Sequence, residues 1–139
     1  MSKDIRIKKG LDIKLIGAAE KTTSQSNLSS VYGIMPEDFH GITPKLIARE
    51  GVSVKAGEAI FLSKDDERIL FPSPVSGKLI EVIRGARRKI LAVKIAADGK
   101  QEYQDFGKKD ASKMSAEEVK NHLFTSGCWP FIKQRPFDV

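Results

Sequence analysis

Between residues 50 and 79 short apolar runs alternate with turn residues at intervals too close for a helix. Glu50-Gly51, Ala56-Gly57, Lys64-Asp65-Asp66, Pro72-Ser73-Pro74 and Ser76-Gly77 are the interruptions. An α-helix needs about ten or more periodic residues to persist, and none of these runs supplies them. The stretch is therefore confined to short strands, expected at residues 53–54, 59–62 and 69–71. Two longer strands are expected at 78–83 and 89–95. In the second, Leu91, Val93 and Ile95 alternate with Ala92 and Lys94, giving a buried face and a more exposed one. Upstream, the apolar segment 31–35 stops at Pro36, and Pro44-Lys45-Leu46-Ile47-Ala48 leads a strand into the Glu50-Gly51 turn. Asp98-Gly99 is a strong two-residue hairpin signal. Many short strands punctuated by Gly and Pro predict a compact all-β barrel or sandwich.

The flanks differ from this middle. Ile5 and Ile7, then Leu11, Ile13 and Leu15, alternate with polar residues on both sides of Lys8-Lys9-Gly10, which predicts two short strands or one hairpin. Residues 17–30 are rich in Ala, Lys, Thr, Ser and Asn and read as a loop. Near the other end, Ser115 and Glu118 form a capping box with Met114 and Val119 at the staple positions. Gly127 supplies a C-cap, so one helix is expected over 116–126. The aromatic and proline-rich tail after it holds Trp129, Phe131, Ile132 and Phe137. A small barrel and one helix have limited room for these side chains, so the tail either wraps the barrel or begins a further domain.

Composition narrows the function classes. With 139 residues the chain accommodates one ordinary domain. No apolar run is long enough for a transmembrane helix, and residues 1–9 lack a secretory apolar core. One cysteine, Cys128, forms no internal disulfide, and with His40 and His122 it makes no metal pattern. No nucleophile stands in a recognisable catalytic context, and no glycine-rich phosphate loop is present. The net charge of +6 permits acidic partners. Its densest element, Arg84, Arg87, Arg88 and Lys89 around Gly85-Ala86, reads as either a solvated turn or a partner-docking surface. No aromatics are interleaved with it, so nucleic-acid binding is not expected.

The E-G-x-x-V-x-x-G turn at residues 50–57 and the Pro74-Val75-Ser76-Gly77 approach to the next strand resemble those of lipoyl- and biotinyl-carrier domains. That resemblance implies a mainly β barrel-sandwich hybrid with a small α part, the C-terminal helix and its aromatic tail. Carriers hold their modified lysine on a hairpin tip. Here Asp66 stands about where that lysine would fall, and Lys64 nearby is crowded by Asp65, Asp66 and Glu67. The barrel is expected over residues 1–110, with the helix and the start of a following domain over 111–139. A carrier-like adaptor remains an alternative.

A second resemblance covers nearly the whole chain. Ile7-Lys8-Lys9-Gly10-Leu11-Asp12-Ile13 with Leu15 and Gly17, the stretch 41–58, Phe71-Pro72-Ser73-Pro74-Val75-Ser76-Gly77, Ile83-Arg84-Gly85-Ala86-Arg87-Arg88, and Ser126-Gly127-Cys128-Trp129 leading to Arg135-Pro136-Phe137 resemble the NqrA subunit of the sodium-translocating NADH:quinone reductases. Lys14 and Ala19 stand where that family usually has Pro. The C subunit of Rnf ferredoxin:NAD oxidoreductases is a relative with the same N-terminal architecture and a second alternative. It carries a glycine-rich loop after the helix, where this chain has bulky Trp129, Pro130 and Phe131.

The resemblance implies the N-terminal portion of a longer peripheral subunit on the cytoplasmic side of the bacterial inner membrane. The complex would oxidise NADH, reduce a ubiquinone-type quinone and export sodium ions. NADH and flavins would belong to other subunits, leaving this portion a noncatalytic docking module without a cofactor. Quinone is an expected ligand of the full subunit. Trp129, Phe131 and Phe137 are candidates for ring stacking and Arg135 for hydrogen bonding to a quinone carbonyl; interdomain packing is the alternative reading of the same residues. Other subunits are the expected partners of Arg84, Arg87, Arg88 and Lys89.

Overall fold

The protein is described by a computed structural model covering residues 10, 16–25 and 27–134. Its strands form two antiparallel sheets. One sheet takes β1 (Val31–Ile34), β3 (Ser53–Val54), β6 (Gly77–Arg84) and β7 (Ile90–Ala97) in the order β1-β7-β6-β3. The other takes β2 (Pro44–Leu46), β4 (Ala59–Ser63) and β5 (Leu70–Pro72) in the order β2-β4-β5. The barrel-sandwich reading thus describes the middle of the chain. The alternation expected to give strands between residues 5 and 15 falls on positions 5–9 and 11–15, outside the described residues.

The two sheets enclose one apolar core of Val54, Ile60, Phe61, Phe71, Leu79, Ile90, Val93 and Ile95. Phe61 and Phe71 stack with ring centroids 4.6 Å apart, and the edge of Phe39 meets Phe71 at 4.6 Å. Strict period two would point Ile60 and Phe61 to opposite faces, yet both are wholly buried. A register shift between Ala59 and Phe61 accounts for this. At the same place Ile60 O accepts from both Ile47 N (2.9 Å) and Ala48 N (3.1 Å), so the extra residue is absorbed as a bulge.

β7 departs from the expected pattern in the same manner. It begins at Ile90, because Lys89 is drawn outward to Glu37 at 2.5 Å. A register shift between Ile83 and Arg84 buries Ile90 and leaves Leu91 half-buried beneath Gly85. The hairpin expected at Asp98-Gly99 does not form. β7 already has β1 on one side and β6 on the other, so no edge is left for a returning strand. The Asp98 carboxylate instead accepts from Ser76 Oγ (2.7 Å) and Lys100 N (2.9 Å). The chain then passes the turn at Ala56, where Ala56 N donates to Glu102 O and Gln104 N to Ala56 O, both at 2.8 Å.

α1 spans Ala116–Thr125, one residue short of the expected end. Both halves of the capping box are made: Glu118 N donates to Ser115 Oγ (3.3 Å), and Ser115 N donates to Glu118 Oε2 (2.8 Å). These bonds hold the Glu118 carboxyl below its ordinary pKa. Gly127 follows with φ +68, and a Cβ there would lie 3.0 Å from Pro72 Cδ. Glycine therefore ends the helix and lets it turn closely over β5.

Candidate functional site: the β4–β5 tip and the cleft beneath the tail

The tip between β4 and β5 is where a carrier domain would present its lysine. Here the backbone amide of Arg68 donates to Asp66 Oδ1 at 3.0 Å, and its guanidinium donates to both Asp66 oxygens, the shortest contact being Nη2 to Oδ2 at 2.6 Å. The Arg68 side-chain bonds, followed by its backbone bond, lower the Asp66 pKa to about 2. The opposite face of the guanidinium lies over the Phe124 ring of α1, 4.7 Å from its centroid. Phe124 in turn packs on Trp129 at 4.4 Å, and Lys120 Nζ approaches Trp129 at 5.8 Å. Tip, helix and tail are thereby joined by one ladder of alternating charged and aromatic groups. Lys64 is exposed beside it.

Next to this ladder a cleft of about 480 Å³ opens between the β4–β5 tip, the 39–42 loop and the tail. Phe39, Ile42, Ile69, Phe71 and Trp129 give it apolar walls. His40, Asp65 and Asp66 bring polar groups into the lining, with Lys133 on the tail side. Such a cavity, mostly apolar with a few convergent polar groups, suits a small planar molecule with hydrogen-bonding edges.

The candidates named from sequence are distributed unevenly around it. Trp129 lines the cleft and is half-buried. Phe131 meets Phe39 edge-on at 5.8 Å and is 63% exposed, so its ring is available for a further contact. Arg135 and Phe137 lie outside the described residues. Sequence reasoning treated His40 as an ordinary histidine and passed over Asp65 and Ile42. The Phe39-His40-Gly41 triplet was the one available signal, since an aromatic and a titratable group in a glycine-bearing loop often mark a cavity rim.

The four basic candidates sit together on the β6–β7 turn. Arg84, Arg87, Arg88 and Lys89 are all exposed. Arg84 Nη1 donates to Arg88 O at 3.3 Å, and Lys89 pairs with Glu37, whose pKa that contact lowers. Among the described residues no cluster of His, Cys, Asp and Glu is arranged to hold a metal ion, and no helix is long and apolar enough to cross a membrane.

Residues 5–98 match the family described as the NqrA N-terminal barrel-sandwich hybrid domain. The chain is 34% identical over 135 residues to the A subunit of the Na(+)-translocating NADH-quinone reductase of Yersinia pseudotuberculosis. It is 32% identical over 135 residues to the proteins of the same name from Aliivibrio salmonicida and Neisseria meningitidis. Each alignment covers 96% of this chain and 30% of the relative, so the chain spans under a third of the length of these relatives. Matched over most of its strands and over the clasped tip that replaces a carrier lysine, the chain belongs to the NqrA N-terminal barrel-sandwich hybrid family.

Proposed function

We propose that the chain is a noncatalytic docking module of a peripheral subunit in a sodium-translocating NADH:quinone reductase. The module faces the cytoplasm, its neighbours are the other subunits, and NADH and flavins are handled by them. One observation carries the reading. The tip that a carrier must leave free to swing is fixed by Arg68 between Asp66 and Phe124, so the barrel serves as scaffold. The cleft beside that fixed tip is the quinone-contact surface of the module. Trp129 and Phe39 offer ring faces, and His40 offers a donor to a quinone carbonyl.

Two measurements test this. Trp129 is the chain's single tryptophan, so a soluble ubiquinone analogue bound in the cleft should quench its fluorescence saturably. Ile42→Phe should abolish that quenching by filling the cavity without adding a second indole. Absence of quenching at millimolar analogue removes the quinone contact. Deleting the module from the full subunit should abolish assembly or quinone reduction by the complex. Normal sodium export after that deletion would refute the docking role.

A further inference from the structure

The β6–β7 turn is built as a fixed fork of two arginines. Arg87 has φ +53 and ψ +30, and Arg88 has φ +61. The left-handed region is strained for side chains with a Cβ, and glycine or asparagine is the ordinary occupant. Two successive arginines are nevertheless held there by the surrounding bonds. Gly85 N donates to Lys89 O at 2.8 Å, Lys89 N to Ala86 O at 3.1 Å, and Arg84 Nη1 to Arg88 O at 3.3 Å. Leu91 packs directly beneath, close enough that a Cβ on Gly85 would lie 3.1 Å from its Cδ1.

The turn also ends an arm. β3 pairs with β6 only at Gly77 and Lys78, and β1 pairs with β7 only from Val93 to Ala96, so no strand flanks the ribbon beyond those points. At its end Lys89 is engaged by Glu37. Among the described residues the side chains of Arg87 and Arg88 make no hydrogen bond or ion pair. Backbone strain of this kind persists where the surroundings over-determine it, and it concentrates at binding sites.

We propose that this arm docks an acidic protein segment, each guanidinium of the fork receiving one carboxylate of the partner. The proposal rests on the docking reading above and specifies its chemistry. A planar guanidinium matches a carboxylate bidentately, and fixing two of them in space selects a partner with carboxylates at a set separation. A bilayer surface needs no such fixation. It is held by many mobile cations together with inserted apolar side chains, and residues 85–89 contain no large apolar group. Nor does the turn carry an aromatic on which a base would stack.

The test uses the full subunit and the remaining subunits purified as a complex. Arg87→Glu with Arg88→Glu should weaken their association at least about tenfold, and wild-type association should weaken as salt rises. Arg87→Gly with Arg88→Gly should raise Tm by relieving the backbone and still weaken association, which a merely structural turn would not do. Association within twofold of wild type in both pairs would overturn the fork, as would a lower Tm in the glycine pair. Deletion of the whole module separates the two readings: loss of assembly on deletion but not on charge reversal refutes the fork alone, and no loss in either refutes docking as well. The full subunit should sediment with neither phosphatidylcholine vesicles nor those containing phosphatidylglycerol. Arginine-dependent sedimentation with the latter would assign the fork to lipid and overturn the proposal.

Discussion

Gly77 marks the closest approach of the β6 and β7 backbones. A Cβ at this position would lie 2.0 Å from Ala96 O and 2.9 Å from Ala97 Cα, both main-chain atoms that have no side-chain freedom to give way. Gly77→Ala should therefore cost roughly 3 kcal/mol or unfold the chain, read as a fall in the urea midpoint. The Pro-Val-Ser-Gly pattern identified the glycine as special, but as a turn residue. That the constraint comes from Ala96, far along the sequence, is a tertiary fact with no local signature. Asp66 shows the same limit. Its place at the tip was readable from the missing lysine, whereas the Arg68 clasp was not, because two charges in an exposed loop pair only if the backbone turns them together. The clasp also sets a pH response. The folded pKa of Asp66 is depressed to about 2, so its contribution is present above the ordinary aspartate value near 3.9 and is lost as pH falls through about 2. The Asp66 carboxyl carbon, followed by NMR, should titrate near 2 in the wild type and move back toward about 3.9 in Arg68→Ala. An unchanged midpoint in that variant would show that the guanidinium is not the cause.

At the scale of elements, legibility followed how local each signal is. The α1 N-terminus was readable because a capping box is complete within four residues, and Ser115 and Glu118 exchange both bonds. Strand positions were readable from Gly and Pro spacing, yet three local patterns misled at their edges. Ile60 and Ile90 turn inward through bulges, which period two does not announce. Asp98-Gly99 has hairpin chemistry but follows a strand whose two edges are already occupied. The cap allows a direct test. Ser115→Ala should weaken the helix by about 1 kcal/mol, seen as faster amide exchange in the first turn of α1 while the β6 and β7 amides are unaffected. Equal acceleration in the sheets would mean that the helix end and the barrel open as one unit.

Across the whole molecule the question is whether the helix and tail belong to the barrel's cooperative unit or form a layer laid upon it. The sheets share one continuous core centred on Phe61 and Phe71, both essentially without exposure. α1 and the tail attach elsewhere, through Phe124 with Arg68 and Trp129 and through the close passage of Gly127 over Pro72. No backbone ladder joins the helix to either sheet, so side-chain packing and the Gly127 approach hold the layer down. Removing the Phe61 ring deletes a contact shared by both sheets, and a buried Phe→Ala change costs about 3–5 kcal/mol. That is comparable with the whole stability of many small domains, so Phe61→Ala should raise exchange in every element together. Phe124→Ala removes a ring of the same size, but one whose partners lie at the tip and tail. It should release α1 and open the cleft, with loss of Trp129 emission changes on ligand addition, while β6 and β7 retain protection. If Phe124→Ala instead unprotects the sheets to the degree that Phe61→Ala does, helix and barrel fold as one body, and the fixed tip would be part of the core's stability as well as of the site.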